Sequence, residues 1–384
     1  MRVFVIAGEP SGDRLGAALM GGLKALAPGV EFRGVGGSGM AGEGLESLFP
    51  MEELSVMGIA EVLPKYRALM RRIKQCAAEV VAWKPDVLLT IDSPDFCLRV
   101  ARRVKAECDV KTVHYVAPTV WAWRPHRAEK MAQVIDHVLA LFPFEPPYME
   151  AAGMSCDFVG HPVVSEPVAN AEEGAAFRAA HGIGAAPLIM ALPGSRRGEV
   201  NRLAPIFGEA LRPLVAARPD TRVVVPCVAS TAGLVKELTA RWPGTPVLLD
   251  PRDQPAKAAQ AEKRAAFAAA DVALAASGTV SLELAANALP MVIAYDMSWL
   301  SRQIIGRMLK VDTVTLVNLV AESRTIPEFI GADCKPARIA EGLTAVLAAP
   351  GAQLEAMALS MSRLGRGEEP PGLRAARSVL AHIN

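Results

Sequence analysis

The sequence predicts an α/β protein of two doubly wound domains, and three observations carry that prediction. Short apolar runs alternate with stretches of helical periodicity along the chain, the pattern of parallel strands joined by crossover helices. Several of these runs end in glycine-rich or small-residue turns, where an open α/β sheet keeps its ligand-binding loops. The alternation pauses over a polar, Ala- and Glu-rich stretch at 163–185 and then restarts. A chain of 384 residues has room for two domains of roughly 150 to 200 residues each.

Composition narrows the function classes. Hydrophobic residues make up 51% and charged residues 21%, which fits a folded, Ala-rich α/β protein and argues against disorder. A net charge of +1 predicts no broad attraction to nucleic acid, so any basic surface must be local. The cysteines at 76, 97, 108, 156, 227 and 334 show no C-x-x-C pair and no His-Cys cluster of zinc spacing. They are expected to be reduced thiols, with no metal site. The apolar stretch Val3 to Ala7 is shorter than a signal-peptide core, so a cytoplasmic protein is expected. Residues 272–295 are apolar but interrupted by Glu283, Asn287 and Pro290, and read as strand, loop, helix and strand rather than a membrane span.

In the first half, the run RVFVIA at 2–7 enters Gly8-Glu9-Pro10-Ser11-Gly12-Asp13, followed by helical periodicity from Leu15 to Leu26. The two glycines permit a tight turn and close backbone approach, although the full dinucleotide fingerprint is absent. A second glycine cluster spans Gly34 to Met40, and two such loops at adjacent strand tips suggest a roomy crevice. From Leu54 to Lys74, the apolar residues Val62, Leu63, Tyr66, Leu69, Met70 and Ile73 recur at helical spacing among Lys65, Arg67, Arg71, Arg72 and Lys74. Such a stripe suits an anionic lipid surface, and equally suits a helix with its apolar face in the core. The run DVLLTI at 86–91 ends in Asp92-Ser93-Pro94-Asp95. Pro94 stops the strand, and a carboxylate at such a tip can serve as a general base or merely cap the next helix. The strand 111–115 leads to a loop with Trp121, Trp123, Arg124, His126 and Arg127, a candidate anion site. His161, after the strand near Phe158, is a catalytic candidate with a structural role as the alternative.

In the second half, the strand 187–192 ends in Pro193-Gly194-Ser195-Arg196-Arg197-Gly198-Glu199. Backbone N–H groups at a helix start, together with a guanidinium fork, can hold a diphosphate. Strands are expected at 222–227 and 246–250. The run 271–275 leads to Ser277-Gly278-Thr279 and a helix over 280–288 carrying Glu283. Small residues at a helix start suit phosphate, and an acid one turn further in can accept hydrogen bonds from ribose hydroxyls. A capped helix with a solvent-facing acid fits the same pattern.

The string GEPSGD, SVMGIAEVLPKY, IDSPDF, HYVAPTVWAWR, LFPFEPP, FVGHP, LPGSRRGEV, AASGTVSLE and TLVNL, in this order, resembles the lipid A disaccharide synthase family over nearly the whole chain. The resemblance implies a glycosyltransferase B architecture, with two facing Rossmann-like domains and a C-terminal helix returning to the first. The expected division is residues 1–165 plus about 345–384, and residues 166–344. It implies an inverting transfer from UDP-2,3-diacylglucosamine to 2,3-diacylglucosamine 1-phosphate, giving a β-1,6-linked disaccharide and UDP without a cofactor. Matched to the motifs, Asp92 is the expected base, with Asp95 the alternative. Glu9 and Ser11 would line the acceptor side. Arg196, Ser277, Gly278, Thr279, Glu283 and Asn318 would hold UDP, Arg197 competing with Arg196 for the diphosphate. Acylated substrates imply peripheral attachment to the cytoplasmic face of the inner membrane, with Val62, Leu63, Tyr66, Leu69 and Met70 in contact. Monomer and homodimer are both open. A related sugar-nucleotide enzyme would keep the second-domain motifs and change the first. A nucleotide-sensing module would bind UDP without turnover, and a lipid-surface adaptor would need neither LPGSRR nor ASGT.

Overall fold

The computed structural model describes residues 1–54, 59–121, 126–297 and 311–383, without side chains for 59–65. Two compact units emerge: Met1–Ser165 with Leu364–Asn384, and Glu166–Arg363. Each is an open, all-parallel, six-stranded sheet flanked by helices.

In the first unit, β1 (Arg2–Ala7), β2 (Glu31–Val35), β3 (Val87–Ile91), β4 (Lys111–Tyr115), β5 (His137–Ala140) and β6 (Ser155–Phe158) lie in the order β2-β1-β3-β4-β5-β6. Val3 to Ala7 and Val87 to Leu89 are wholly buried, because crossover helices cover both faces of a parallel sheet. The helices are α1 (Pro10–Leu26), α2 (Ser38–Gly42), α3 (Ile59–Trp83), α4 (Pro94–Glu107), α5 (His126–Ala132) and α6 (Pro146–Glu150). The strand order reverses between β1 and β3, whose ends register as Ala7 against Ile91.

The second unit begins with α7 (Ala171–Ala180), held at its start by a capping box between Asn170 and Glu173. Then come β7 (Leu188–Leu192), α8 (Arg197–Ala217), β8 (Arg222–Pro226), α9 (Ala232–Thr239), β9 (Val247–Leu249), α10 (Ala256–Ala269), β10 (Val272–Ala275), α11 (Val280–Ala286) and β11 (Met291–Tyr295). Residues 272–295 thus form strand, loop, helix and strand, as their punctuation predicts. After α12 (Leu316–Ala321) and β12 (Glu328–Ile330), the strand order is β12-β11-β10-β7-β8-β9. Its reversal lies between β7 and β10, where Leu192 registers against Ala275. The core joins Ile189, Leu203, Phe207, Val223, Leu274, Val292 and Leu343.

Three helices close the chain: α13 (Pro336–Ala348), α14 (Gly351–Arg363) and α15 (Pro371–Ile383). The first two stay with the second unit, so its end falls at Arg363, later in the chain than the sequence suggests. The reason is α14, whose buried Gln353 brackets both backbone groups of Met291 at 2.8 and 3.0 Å, and whose Ser360 donates to the Val317 carbonyl at 3.0 Å. Only α15 returns to the first unit, packing on α1. Glycines make that close approach feasible: a Cβ on Gly22 would sit 2.7 Å from the Gly372 carbonyl oxygen, and one on Gly372 2.6 Å from that of Ala18.

Candidate active site

Ligands of open α/β sheets bind beyond the carboxyl ends of the strands, where the order reverses. In the first unit those ends carry Gly8-Glu9 after β1 and Asp92-Ser93 after β3. Asp92 and Ser93 are both left-handed, with φ of 52° and 43°, a conformation that costs non-glycine residues energy and clusters at functional sites. The Asp92 N–H donates to the Tyr115 carbonyl at 3.0 Å, and Asp92 Oδ1 accepts the Ser93 N–H at 2.9 Å. Ser93, not Asp92, occupies the N-cap of α4. Asp92 is partly buried, and Asp95 is exposed in the first turn of α4. Glu9 is the N-cap of α1, and Ser11 is exposed in its first turn.

A buried acid that sequence pattern alone does not single out ties these loops together. Asp13 Oδ1 accepts the Gly37 N–H at 2.8 Å and the Met40 N–H at 3.0 Å, while Oδ2 accepts the Gly39 N–H at 2.8 Å. The two glycine loops are therefore one clamped structure. Glu145, 2% exposed, takes the N–H groups of Leu141 and Phe142 at 3.1 and 3.0 Å. Burial outweighs those bonds and pushes its carboxyl up to about 7. An acid between Phe144 and Pro146 was the available signal.

His161 is buried, and its Nδ1 accepts the Val163 N–H at 3.2 Å. Burial lowers its pKa to about 4, so the ring is neutral near pH 7 and Nδ1 is engaged by the turn that follows. Trp121 is buried edge-on against Phe144, with ring centroids 5.2 Å apart. Trp123 and Arg124 lie outside the described residues; His126 and Arg127 begin α5.

On α3, Ile73, Cys76, Ala77 and Val80 face the core. Tyr66 is 48% exposed, while Leu69 and Met70 are partly exposed. Tyr66, Arg67, Met70, Arg71 and Lys74 line a shallow groove of about 300 Å³. Arg72 is spent on Glu53, at 2.7 and 2.9 Å. The side chains of Val62 and Leu63 lie outside the described residues.

In the second unit, Arg196 follows β7 and Ser277-Gly278-Thr279 follows β10, on either side of the reversal. Gly278 has φ of 153°, and a Cβ there would meet nothing within 4 Å. The side on which a Cβ would stand is therefore open, while the Gly278 carbonyl accepts the Ser281 N–H and hydroxyl at 3.2 and 2.9 Å. Thr279 is the N-cap of α11, with its side chain making no cap bond. Glu283 Oε2 accepts Lys263 Nζ at 2.7 Å.

Two expectations change here. The α8 helix start is not an open anion cradle, because Glu199 Oε2 accepts the N–H groups of Ser195 and Arg196 at 3.2 and 3.3 Å. An internal carboxylate occupies the place proposed for phosphate. The Arg196 guanidinium remains 68% exposed, in a loose 3.5 Å pair with Glu199, and Arg197 is exposed. Asn318 is 1% exposed and engaged by its own loop. Its Nδ2 donates to the Ile326 carbonyl and Glu328 Oε1, both at 3.0 Å, and its Oδ1 accepts the Ile326 N–H at 3.0 Å. It shapes the loop rather than presenting an amide.

Behind these loops, Cys227, Leu249, Gln254, Gln260 and Lys263 line a hollow of about 470 Å³ at the ends of β8 and β9. Nothing in the sequence pattern marks it, because its walls come from separate strand ends and α10. Among the described residues, no three His, Cys, Asp or Glu side chains gather as metal ligands, and no single helix is long and apolar enough to cross a membrane.

Two open parallel sheets, each with loops at its reversal, and a last helix returning to the first unit define the glycosyltransferase B class. The model of the family described as lipid-A-disaccharide synthetase matches residues 3–364. A lipid-A-disaccharide synthase of Ruegeria pomeroyi is 65% identical over 384 residues, covering 100% of this chain and 96% of its own. One of Rhodospirillum centenum is 47% identical, covering 98% and 94%. The chain belongs to the lipid-A-disaccharide synthase family and is a glycosyltransferase. Among solved structures, the UDP-GlcNAc 2-epimerase of Neisseria meningitidis bound to UDP-GlcNAc shares the fold, with a TM-score of 0.62 at 11% identity over 99% of each chain.

Proposed function

We propose that the chain transfers the sugar of UDP-2,3-diacylglucosamine to the 6-hydroxyl of 2,3-diacylglucosamine 1-phosphate, with inversion. The observation that carries the reading is the Asp92 carboxylate at the reversal of the first sheet, with Oδ1 tethered by the Ser93 N–H and Oδ2 left for an acceptor hydroxyl. Asp92 takes the hydroxyl proton as O6 attacks the anomeric carbon. The bond from that carbon to the UDP oxygen breaks, UDP leaves with the electron pair, and an α-linked donor becomes a β-linked product. Glu9 and Ser11, on the neighbouring loop, line the acceptor side.

UDP belongs to the second unit in this reading. The Ser277–Thr279 loop and the exposed guanidinium of Arg196 or Arg197 meet the diphosphate, where preorganised donors stabilise the leaving charge. Glu283 takes the ribose, the hollow bordered by Lys263 takes the base, and Asn318 acts through the loop it holds. Tyr66, Leu69 and Met70, with Val62 and Leu63, touch the acyl region of an anionic bilayer, while Arg67, Arg71 and Lys74 meet headgroups. The protein then works as a peripheral enzyme on the cytoplasmic face of the inner membrane.

The test is product formation from the two acylated substrates in detergent micelles. Disaccharide plus UDP is expected, and Asp92→Ala should keep UDP binding while losing roughly 10²- to 10⁴-fold in turnover. No disaccharide, with UDP released to another acceptor, overturns the substrate assignment. Near-normal turnover of Asp92→Ala moves the base elsewhere, first to Asp95.

A further inference from the structure

Lys263 sits where three features of the second unit meet. It borders the 470 Å³ hollow at the ends of β8 and β9. Its ammonium donates to Glu283 Oε2 at 2.7 Å and lies 5.4 Å from the centroid of Phe267, one turn along the same helix. Its neighbour Glu262 is committed elsewhere, to His181 at 3.2 Å and to the Gln254 amide. Among the described residues, Lys263 is the one side chain bonded to the Glu283 carboxylate.

We infer that Lys263 is a positioning residue for nucleotide recognition: it pins one oxygen of Glu283, leaving the other for a ribose hydroxyl, and cancels the charge of that acid beside a diphosphate. The inference rests on the assignment of UDP to this unit. A carboxylate on a helix surface samples several rotamers, and only a fixed one presents an acceptor to a hydroxyl at low entropic cost. An unpaired carboxylate one turn from the Ser277–Thr279 loop would also repel the phosphates held there. Lys263 and Glu283 are 41% and 34% exposed. Pairs so exposed contribute little to folding, so breaking this one tests recognition rather than stability.

The experiment measures binding of UDP and of 2′,3′-dideoxy-UDP to the full chain and to Lys263→Met, Lys263→Arg and Glu283→Gln, with thermal unfolding as a control on the fold. Wild type should prefer UDP by about tenfold or more, the size of one charge-assisted hydrogen bond. Lys263→Met should weaken UDP by about the same factor and bring the ratio of the two affinities towards one. Lys263→Arg should keep the ratio. Lys263→Met with the wild-type ratio overturns the positioning role, whether or not overall affinity falls. Wild type that binds neither nucleotide overturns the UDP assignment itself, a different result from a variant-specific loss.

Discussion

Ser93 fills the space that any side chain on Gly8 would need: a Cβ built on Gly8 would come 2.5 Å from Ser93 Oγ and 2.9 Å from its Cβ. The tips of β1 and β3 are thus interlocked next to Asp92, in two consecutive left-handed residues with little slack. Gly8→Ala should push Ser93 away and misplace the neighbouring carboxylate. Overpacking of this kind costs about 1–3 kcal/mol, and misplacement of a reacting group by about 1 Å can cost roughly 10²-fold in rate. Transfer should fall sharply while UDP affinity, which the proposed reading places in the second unit, stays unchanged. A parallel fall in both would show that the damage is global unfolding.

Much of this arrangement is legible in the chain because strand ends announce themselves. Pro94 marks the end of β3, and the small residues 277–279 mark the end of β10. What a carboxylate bonds to is not written in local pattern. Glu199 lies in the PGSRRGE motif, but its occupation of the Ser195 and Arg196 N–H groups depends on how the loop turns back. Asn318 ends inside a network with Glu328, ten residues later, on an edge strand whose existence no local periodicity signals. The hollow beside Lys263 is further out of reach, since β8, β9 and α10 supply its walls from distant sequence. On α3, spacing groups Ile73 with Tyr66, Leu69 and Met70, but packing sends Ile73 to the core and leaves the other three at least partly exposed.

Acid should destabilise the first unit. His114, His137 and His161 are all buried there, and burial lowers each pKa to about 4. A histidine whose folded pKa lies below its unfolded value of about 6.5 binds protons preferentially when unfolded. Its contribution is fully present above pH 6.5 and is lost as the pH falls towards 4. Each histidine should account for about 1–2 kcal/mol between pH 7.5 and pH 5. Denaturant melts at the two pH values read this directly, and His161→Phe should reduce the difference. Equal stability at both values would mean that these rings accept protons without opening the fold.

The α3 groove gives a prediction about location. Changing Tyr66, Leu69 and Met70 to Ser removes apolar surface that is already partly exposed, so the melting temperature should change little. Recovery with anionic vesicles should drop, because apolar contact and headgroup attraction act together in interfacial binding. Full recovery on vesicles would assign binding to the basic residues alone, and loss of folding would return these side chains to the core.

Glu199 offers the sharpest electrostatic test in the second unit. Its carboxylate holds the Ser195 and Arg196 N–H groups at 3.2 and 3.3 Å, yet reaches the Arg196 guanidinium only at 3.5 Å. With that guanidinium 68% exposed, the pair does little to fix the arginine. The larger effect on an incoming diphosphate is the presence of a like charge over two N–H groups that could otherwise bind it. Glu199→Ala should therefore tighten UDP binding severalfold, while the lost cap lowers stability by about 1 kcal/mol. Titration calorimetry with UDP, beside a thermal melt, separates the two effects. Weaker binding in a variant that is still folded would reverse the ranking and make Glu199 the residue that presents Arg196 to the nucleotide.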